Sequence, residues 1–108
     1  MKRKDYFIHF VWGIDRLRVN YRTDKGEMID FVIQYETFLN GKWKAVVRYD
    51  CAHGFFHRDE IFPTGEKEKT PIDINNFDSA ALYAEQDLRD RWKWYKERYF
   101  KKIKKKNR

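Results

Sequence analysis

Apolar and polar residues alternate with a period of two through most of the first 62 positions of the chain. This period places successive side chains on opposite faces of a β-strand. Turn signals such as Asn40-Gly41 interrupt the alternation, because both positions tolerate the positive φ angles of a tight hairpin. We therefore predict an antiparallel meander of five strands. These strands cover approximately residues 5–12, 15–22, 27–39, 43–50 and 55–62.

A period of three to four residues, typical of a helix, replaces the alternation near Asp78. Asn75, Asn76 and Asp78 are suitable helix N-caps, and no Gly or Pro follows them. The apolar residues that share one side of this helix are Ala81, Ala84, Leu88, Trp92, Tyr95, Tyr99 and Ile103. We therefore predict one long helix at about residues 78–103, packed across one face of the sheet.

The sheet and the helix form one α+β domain that spans residues 1–108, because a chain of this size provides one core. A polar loop at 63–76 joins the sheet to the helix, and a basic tail at 104–108 follows it. Cys51, the only cysteine, lies beside a turn, where we expect a small residue rather than a thiol nucleophile. No intrachain disulfide can form and no apolar run is long enough to span a membrane. We therefore expect a cytoplasmic protein without a membrane association.

Positive charge is concentrated in the last quarter of the chain. Residues 81–108 hold eleven Lys and Arg against four Asp and Glu, so they carry the whole net charge of +7. Such a field attracts polyanions, and exposed aromatic rings between the cations can stack on unpaired bases. The residues that we predict to bind nucleic acid are Arg89, Lys93, Trp94, Lys96, Arg98, Phe100, Lys101 and Lys102. The same pattern is also typical of a solvated amphipathic helix.

A second group of polar residues lies in the hairpin of the last two predicted strands. Because side chains alternate along each strand, Arg48 and Asp50 share a face, and so do His57 and Asp59. If Asp50 lies opposite Phe55, all four residues lie on the face of the sheet that does not meet the helix. We expect His57 to open to solvent there, within reach of a ligand that the basic helix holds.

These residue types suit acid–base chemistry on RNA. His57 can accept or donate a proton near neutral pH, Asp59 can orient its ring, and either Arg48 or Arg58 can hold a phosphate. His53 is a candidate for the second proton carrier. Cleavage through the 2′-hydroxyl needs a base, an acid and a cation, so no metal ion or other cofactor is required. The candidate catalytic residues are His57, His53, Asp50, Asp59, Arg48 and Arg58.

Two other interpretations of this hairpin stay open. In the first, the residues are structural: Arg48 and Asp59 form a cross-strand ion pair, and Asp50 begins a turn. In the second, Asp50, His53, His57 and Asp59 ligate a metal ion, since all four are acceptable ligand types. The chain has no second cysteine and no pair of helical histidines, so we assign no metal ion on this basis.

The segment Val47-Arg-Tyr-Asp-Cys-Ala-His-Gly-Phe-Phe-His57 resembles one shared by the TumE-type toxins of prokaryotic toxin–antitoxin pairs. In that family a strand that ends in Tyr-Asp leads through a short turn with a glycine to a strand that bears a histidine, and a C-terminal helix follows the sheet. The resemblance implies an RNA-directed toxin with an antitoxin partner, and it places Asp50, His53 and His57 at the matching positions. A neighbouring family of the same shape is the alternative.

Three functional hypotheses follow from these patterns. The first is a small RNA-directed protein, a metal-independent endoribonuclease of toxin–antitoxin type without a cofactor. The second is a non-catalytic nucleic-acid-binding or adaptor domain that uses the basic aromatic helix. The third is an interaction protein that docks an acidic partner. RNA or another nucleic acid is therefore the expected partner, and an antitoxin protein and a second copy of the chain in a homodimer are further candidates.

Overall fold

The computed structural model describes the backbone of residues 1–51 and 55–106 and the side chains of residues 1–51 and 55–103. The predicted corner at 52–54 and the end of the predicted tail lie outside the described residues. Within the described part, the chain forms six strands and one helix. These elements are β1 (Lys2–Val11), β2 (Asp15–Asp24), β3 (Glu27–Leu39), β4 (Lys42–Asp50), β5 (His57–Ile61), β6 (Lys67–Pro71) and α1 (Phe77–Lys106).

Each strand pairs antiparallel with the next strand in the chain, so the sheet has the order β1-β2-β3-β4-β5-β6. The predicted α+β class, with a meander sheet and a C-terminal helix, is confirmed. The meander has six strands rather than five, because β6 lies inside the predicted loop at 63–76. All five residues of β6 are exposed and show no apolar alternation. The backbone ladder with β5, and not the burial of an apolar face, therefore holds β6 in the sheet.

Backbone angles confirm the hairpin turn at Asn40-Gly41. The φ angle is 53° at Asn40 and 77° at Gly41, the combination that a two-residue turn between right-twisted strands requires. Lys25 and Gly26, with φ angles of 52° and 81°, form the equivalent turn between β2 and β3. These two turns set the pairing of β2 with β3 and of β3 with β4.

The core lies between α1 and one face of the sheet. On the sheet side, Leu17, Val19, Ile33 and Tyr35 project from β2 and β3 and are fully buried. The buried residues on the helix side are Ala80, Ala81, Ala84, Leu88, Tyr95 and Tyr99. The predicted apolar stripe is therefore the side of α1 that packs on the sheet, with Trp92 and Ile103 partly buried at its margin.

The helix begins and ends slightly outside its predicted limits. Asn76 caps the first turn, where its side-chain oxygen accepts a hydrogen bond of 2.8 Å from the amide of Ser79. α1 begins at Phe77, one residue before the predicted start, and continues to Lys106. Three residues of the predicted basic tail, 104–106, therefore belong to the helix.

The opposite face of the sheet carries a network of polar side chains that α1 does not cover. Glu36 accepts hydrogen bonds from Arg16 Nε at 2.9 Å and from Gln34 Nε2 at 2.6 Å. Arg48 extends the network, because its Nε donates to Gln34 Oε1 at 2.8 Å. Glu36 and Gln34 are buried within this network, where their hydrogen bonds compensate for lost hydration. The predicted catalytic hairpin continues this polar face.

Candidate functional site

Strands β4 and β5 pair with Asp50 directly opposite His57 and with Arg48 directly opposite Asp59. The predicted register, with Asp50 opposite Phe55, is wrong by two residues. A shift of two residues leaves each side chain on its own face of the sheet, because the alternation has a period of two. Arg48, Asp50, His57 and Asp59 therefore do share one face, as predicted.

The register differs from the prediction because of the packing of Phe56. Its ring stacks on Phe31 at a centroid distance of 5.8 Å and meets Phe77 edge to face at 5.2 Å. Phe56 thus anchors the chain to the base of the helix before β5 begins at His57. A sequence prediction cannot anticipate this packing, because Phe31 and Phe77 are distant from Phe56 in the chain.

The side chains of Asp50, Asp59 and Lys69 converge on one ring nitrogen of His57. Nε2 lies 2.8 Å from Asp50 Oδ1 and 3.6 Å from Asp59 Oδ2. Lys69 Nζ, from β6, lies 3.5 Å from the same nitrogen and 3.8 Å from Asp59 Oδ1. The other ring nitrogen, Nδ1, faces the carbonyl oxygen of Phe55 at 3.4 Å. His57 is thus enclosed by two carboxylates, an ammonium group and a backbone carbonyl.

The expectation that His57 opens to solvent is wrong, because its side chain is only 1% exposed. The ring of Phe55 lies beside the imidazole at a centroid distance of 5.3 Å, and Asp50 and Asp59 flank it. The second expectation, that the basic helix lies within reach, is also wrong, since α1 packs on the other face of the sheet. His53, the candidate second proton carrier, lies outside the described residues.

The two candidate phosphate-binding arginines lie on different faces of the sheet. Arg48 shares the face of His57, but its Nε donates to Gln34. It makes no ion pair with Asp59 within the described residues, so the predicted cross-strand pair does not form. Arg58 lies on the helix side, where its Nη1 donates to the hydroxyl of Tyr49 at 3.3 Å. Arg58 is therefore too far from the His57 face to act as its phosphate clamp.

A compact hydrogen-bonded cluster joins the helix to β4 and β5. Asp87 accepts hydrogen bonds of 2.6 Å from the hydroxyls of Tyr49 and Tyr95 and from Arg91 Nε. Burial raises the pKa of Asp87, but these three hydrogen bonds outweigh it and hold the pKa below its ordinary value. Burial, and then the bond to Asp87, raises the pKa values of both tyrosines. This cluster fixes the helix on the sheet and contains no exposed reactive group.

The thiol of Cys51 is unsuited to nucleophilic attack near neutral pH. Burial, together with the hydrogen bond of 2.9 Å that the thiol donates to Asp30 Oδ1, raises its pKa to about 11. A thiol with this pKa is almost wholly protonated at pH 7, and the thiolate is the reactive form. The sequence interpretation of Cys51 as a small structural residue is consistent with this environment.

Three of the cations predicted to bind nucleic acid already have acidic partners. Nitrogen–oxygen distances between 2.6 and 3.0 Å join the pairs Arg89–Glu85, Lys96–Asp15 and Arg98–Glu60. Among the described side chains, Lys93, Lys101 and Lys102 have no acidic partner, and all three are exposed. Among the described cations of α1, those without an acidic partner therefore lie on its C-terminal half.

Trp94 is 46% exposed, as expected for a residue off the core stripe. The guanidinium carbons of Arg91 and Arg98 lie 5.0 and 4.9 Å from the centroid of its ring. Two cations thus already contact the indole. Phe100, the other predicted stacking residue, is half-buried against the edge of Tyr99 at 6.2 Å.

An open cleft of about 500 Å³ lies along the opposite flank of α1. Its apolar floor includes Trp92, whose ring stacks on Phe10 with an interplanar angle of 5°. The residues that line the cleft are Trp92, Lys93, Lys96, Glu97, Phe100 and Lys101. Aromatic walls and lysine side chains therefore occur together at this cleft.

Comparison with known proteins identifies the family. A family model described as "Domain of unknown function (DUF7718)" matches residues 1–105. The chain belongs to the DUF7718 family. No curated protein and no solved structure matches this DUF7718 chain significantly. The likeness of residues 47–57 to TumE-type toxins therefore stays a prediction.

The sequence analysis of this DUF7718 chain did not identify Lys69 as part of the His57 cluster. Lys69 lies in a segment predicted as a loop, and only the β5–β6 ladder places it directly opposite Asp59. Asp50, His57 and Asp59 offer ligand atoms that all lie within 4.8 Å of one another, so the cluster could hold a metal ion. Among the described residues, no helix combines the length and the apolar character needed to cross a bilayer.

Proposed function

We propose that this DUF7718 chain is a non-catalytic protein that binds single-stranded RNA through the C-terminal half of α1. The cleft between Trp92 and Phe100, flanked by Lys93 and Lys101, carries this proposal. Unpaired bases stack on aromatic side chains, and nearby lysines contact the phosphates that link them. A single strand can present bases and phosphates to one surface at the same time, whereas a duplex keeps its bases stacked inside.

The placement of charge on α1 favours the same ligand. Acidic partners neutralise Arg89, Lys96 and Arg98, and these pairs hold the helix to itself or to the sheet. Lys93, Lys101 and Lys102 are exposed without such partners in the described part of the chain. A polyanion would gain the attraction of these three lysines without breaking an existing ion pair.

The endoribonuclease hypothesis receives less support from the geometry. General acid–base catalysis requires a proton carrier within hydrogen-bonding reach of the substrate. His57 is 1% exposed, and it lies on the face of the sheet away from α1. An RNA strand on the helix could not reach this imidazole without a rearrangement of the hairpin. We therefore favour binding over cleavage as the function.

The test is the salt dependence of RNA binding, measured by fluorescence anisotropy with a labelled single-stranded oligonucleotide. Each phosphate neutralised in a single strand contributes about 0.7 to the slope of log affinity against log salt. The triple variant Lys93→Gln, Lys101→Gln, Lys102→Gln should reduce this slope by about 1.4, because two of these lysines, Lys93 and Lys101, line the cleft. The matched control removes three exposed lysines elsewhere, Lys25, Lys42 and Lys67, and should retain the wild-type slope.

Two outcomes would contradict the proposal. If the control triple variant loses as much affinity as the helix variant, the binding is unspecific attraction to a basic protein. If the protein binds heparin but no single-stranded RNA at low salt, the surface serves an acidic partner instead. Gel analysis of the oligonucleotide after incubation shows in the same experiment whether the RNA stays intact.

A further inference from the structure

We infer that Asp50, His57 and Asp59 form a binding site for one divalent transition-metal ion, and that Lys69 competes with this ion for the site. The site lies on the sheet face opposite α1, so it goes beyond the RNA-binding surface proposed above. The inference rests on the spacing of the three donors, on an unsatisfied carboxylate oxygen, and on the position of the lysine.

The donor atoms lie close to the spacing that one metal ion requires. Metal–ligand bonds to imidazole nitrogen and carboxylate oxygen are about 2.0–2.2 Å long, so two ligands of one ion lie at most about 4.4 Å apart. His57 Nε2 lies 2.8 Å from Asp50 Oδ1 and 3.6 Å from Asp59 Oδ2. Both distances are within this limit. The oxygens of Asp50 and Asp59 lie within 4.8 Å of each other, an upper bound that exceeds the limit by about 0.4 Å. Small side-chain rotations would complete the coordination.

Asp59 provides the second, independent observation. Its side chain is only 9% exposed, and its Oδ1 has no hydrogen-bond partner among the described residues. Lys69 Nζ is 3.8 Å from this oxygen, which is too long for a hydrogen bond. A buried carboxylate oxygen without a hydrogen bond is unfavourable, because it has lost its hydration. A cation ligated by the Asp59 carboxylate would compensate this oxygen.

The orientation of His57 suits a ligand role. Its Nδ1 faces the carbonyl oxygen of Phe55 at 3.4 Å, while Nε2 points toward Asp50 and Asp59. Histidines that bind metals commonly donate the N–H of their other ring nitrogen to a carbonyl or carboxylate, which fixes the ring. The imidazole is also held by its burial, so Nε2 is already directed at the two carboxylates. An ion at Nε2 would displace the hydrogen that this nitrogen shares with Asp50 Oδ1, and this proton would pass to solvent.

Lys69 determines the charge of the site. Apart from the imidazole, two carboxylates and one ammonium group give a formal charge of −1, and the two carboxylates alone give −2. The lysine side chain is 44% exposed on the edge strand β6, so its Nζ can turn to solvent. A divalent ion would then match the two carboxylates. The metal ion and the ammonium group cannot both occupy the space beside Nε2, so each should weaken the other.

The donor set selects a class of metal ion. An imidazole nitrogen with carboxylate oxygens suits Zn²⁺, Co²⁺, Ni²⁺, Mn²⁺ and Fe²⁺, whereas Mg²⁺ and Ca²⁺ prefer oxygen ligands alone. We choose Zn²⁺ as the probe for affinity and Co²⁺ as the probe for coordination, since the visible spectrum of Co²⁺ changes when protein ligands replace water.

The experiment is isothermal titration calorimetry of the tag-free full chain with Zn²⁺, repeated with variants at the site. Wild type should bind one ion per chain, and Asp59→Asn should weaken binding at least about tenfold. Lys69→Gln should strengthen binding by about tenfold, because it removes the competing positive charge. The matched controls are Lys67→Gln on the same strand, Asp73→Asn and His9→Gln, all exposed, and they should retain the wild-type affinity.

The Lys69→Gln variant keeps the test decisive even if Asp59→Asn fails to fold, since Lys69 lies at the exposed edge of the sheet. Tighter Zn²⁺ binding by Lys69→Gln, with a Co²⁺ spectrum that indicates nitrogen ligation, supports the site. Absence of stoichiometric Zn²⁺ binding by both wild type and Lys69→Gln overturns the inference. It is also overturned if His9→Gln lowers the affinity as much as Asp59→Asn does. None of these outcomes depends on RNA binding.

Discussion

His57 and Arg58 are consecutive in the chain, yet their side chains lie on opposite faces of the sheet and belong to different networks. His57 contacts Asp50 on the open face, whereas Arg58 donates to Tyr49 on the face that α1 covers. Because side chains alternate between the two faces of a strand, the candidate catalytic residues fall into two groups. One group is a charged cluster with donors for a metal ion, and the other fixes the helix.

The first prediction concerns Arg58. The substitution Arg58→Met retains most of the aliphatic volume but removes the hydrogen bond to Tyr49 and the guanidinium near two tyrosine rings. We expect the free energy of unfolding to fall by about 1–2 kcal/mol in urea titrations. Arg3→Met, at a highly exposed position, should change it by less than about 0.5 kcal/mol. If Arg58→Met changes the Zn²⁺ affinity and Arg3→Met does not, the division into two networks is contradicted.

The second prediction concerns Asp87 and acid. Its pKa lies below the ordinary 3.8, because hydrogen bonds from Tyr49, Tyr95 and Arg91 outweigh the effect of burial. A carboxyl group with a depressed folded pKa stabilises the protein above its unfolded pKa, and the contribution is lost as the pH falls through the folded pKa. Asp87→Asn should therefore lower stability at neutral pH and flatten its decline below about pH 4.

Urea unfolding at a series of pH values measures this effect. Asp90→Asn, on the exposed side of the same helix, serves as the control and should follow the wild-type curve. If Asp87→Asn runs parallel to wild type from neutral pH down to about pH 2, Asp87 does not contribute the predicted linkage.

The third prediction concerns the thiol of Cys51. Because burial and the hydrogen bond to Asp30 raise its pKa to about 11, we expect slow alkylation by iodoacetamide at pH 7 in the folded protein. Asp30→Asn should accelerate the reaction, since it removes the negative charge that disfavours the thiolate. Cys51 is the only cysteine, so mass spectrometry reports its rate directly. Equal rates in native buffer and in urea would show that the fold does not protect the thiol.

The fourth prediction separates stacking from charge in the proposed RNA surface. Phe100→Ala should weaken single-stranded RNA binding by about 1–3 kcal/mol, because stacking on an aromatic ring contributes this much per base. The slope of log affinity against log salt should not change, since no cation is removed. Phe38→Ala removes an exposed ring at the far end of β3 and provides the control. A reduced salt slope for Phe100→Ala would mean that the ring positions Lys96 or Lys101 instead of a base.

The features that follow from local periodicity could be predicted from the sequence. The turn at Asn40-Gly41 depends on two adjacent residues, and the buried stripe of α1 depends on the helical period. The shared face of Asp50, His57 and Asp59 was also predictable, because a register error of two residues leaves each side chain on its face. These predictions needed no knowledge of distant contacts.

The features that depend on tertiary packing could not be predicted in this way. β6 has an exposed polar sequence that resembles a loop, and only the free edge of β5 makes it a strand. That same pairing brings Lys69 beside His57. The burial of His57 depends on where Phe55 and Phe56 pack, and no period in the sequence encodes that choice. The sequence therefore predicts an exposed His57, whereas the structure shows His57 enclosed in a cluster of charged side chains.

The order of the meander has a consequence for synthesis. Each strand pairs with its neighbour in the chain, so every hairpin can form as soon as its own residues leave the ribosome. The apolar face that includes Leu17, Val19 and Ile33 gains its cover only when residues 77–106 emerge. Until these residues emerge, the apolar face stays exposed to water, and the nascent chain is prone to aggregation until α1 docks.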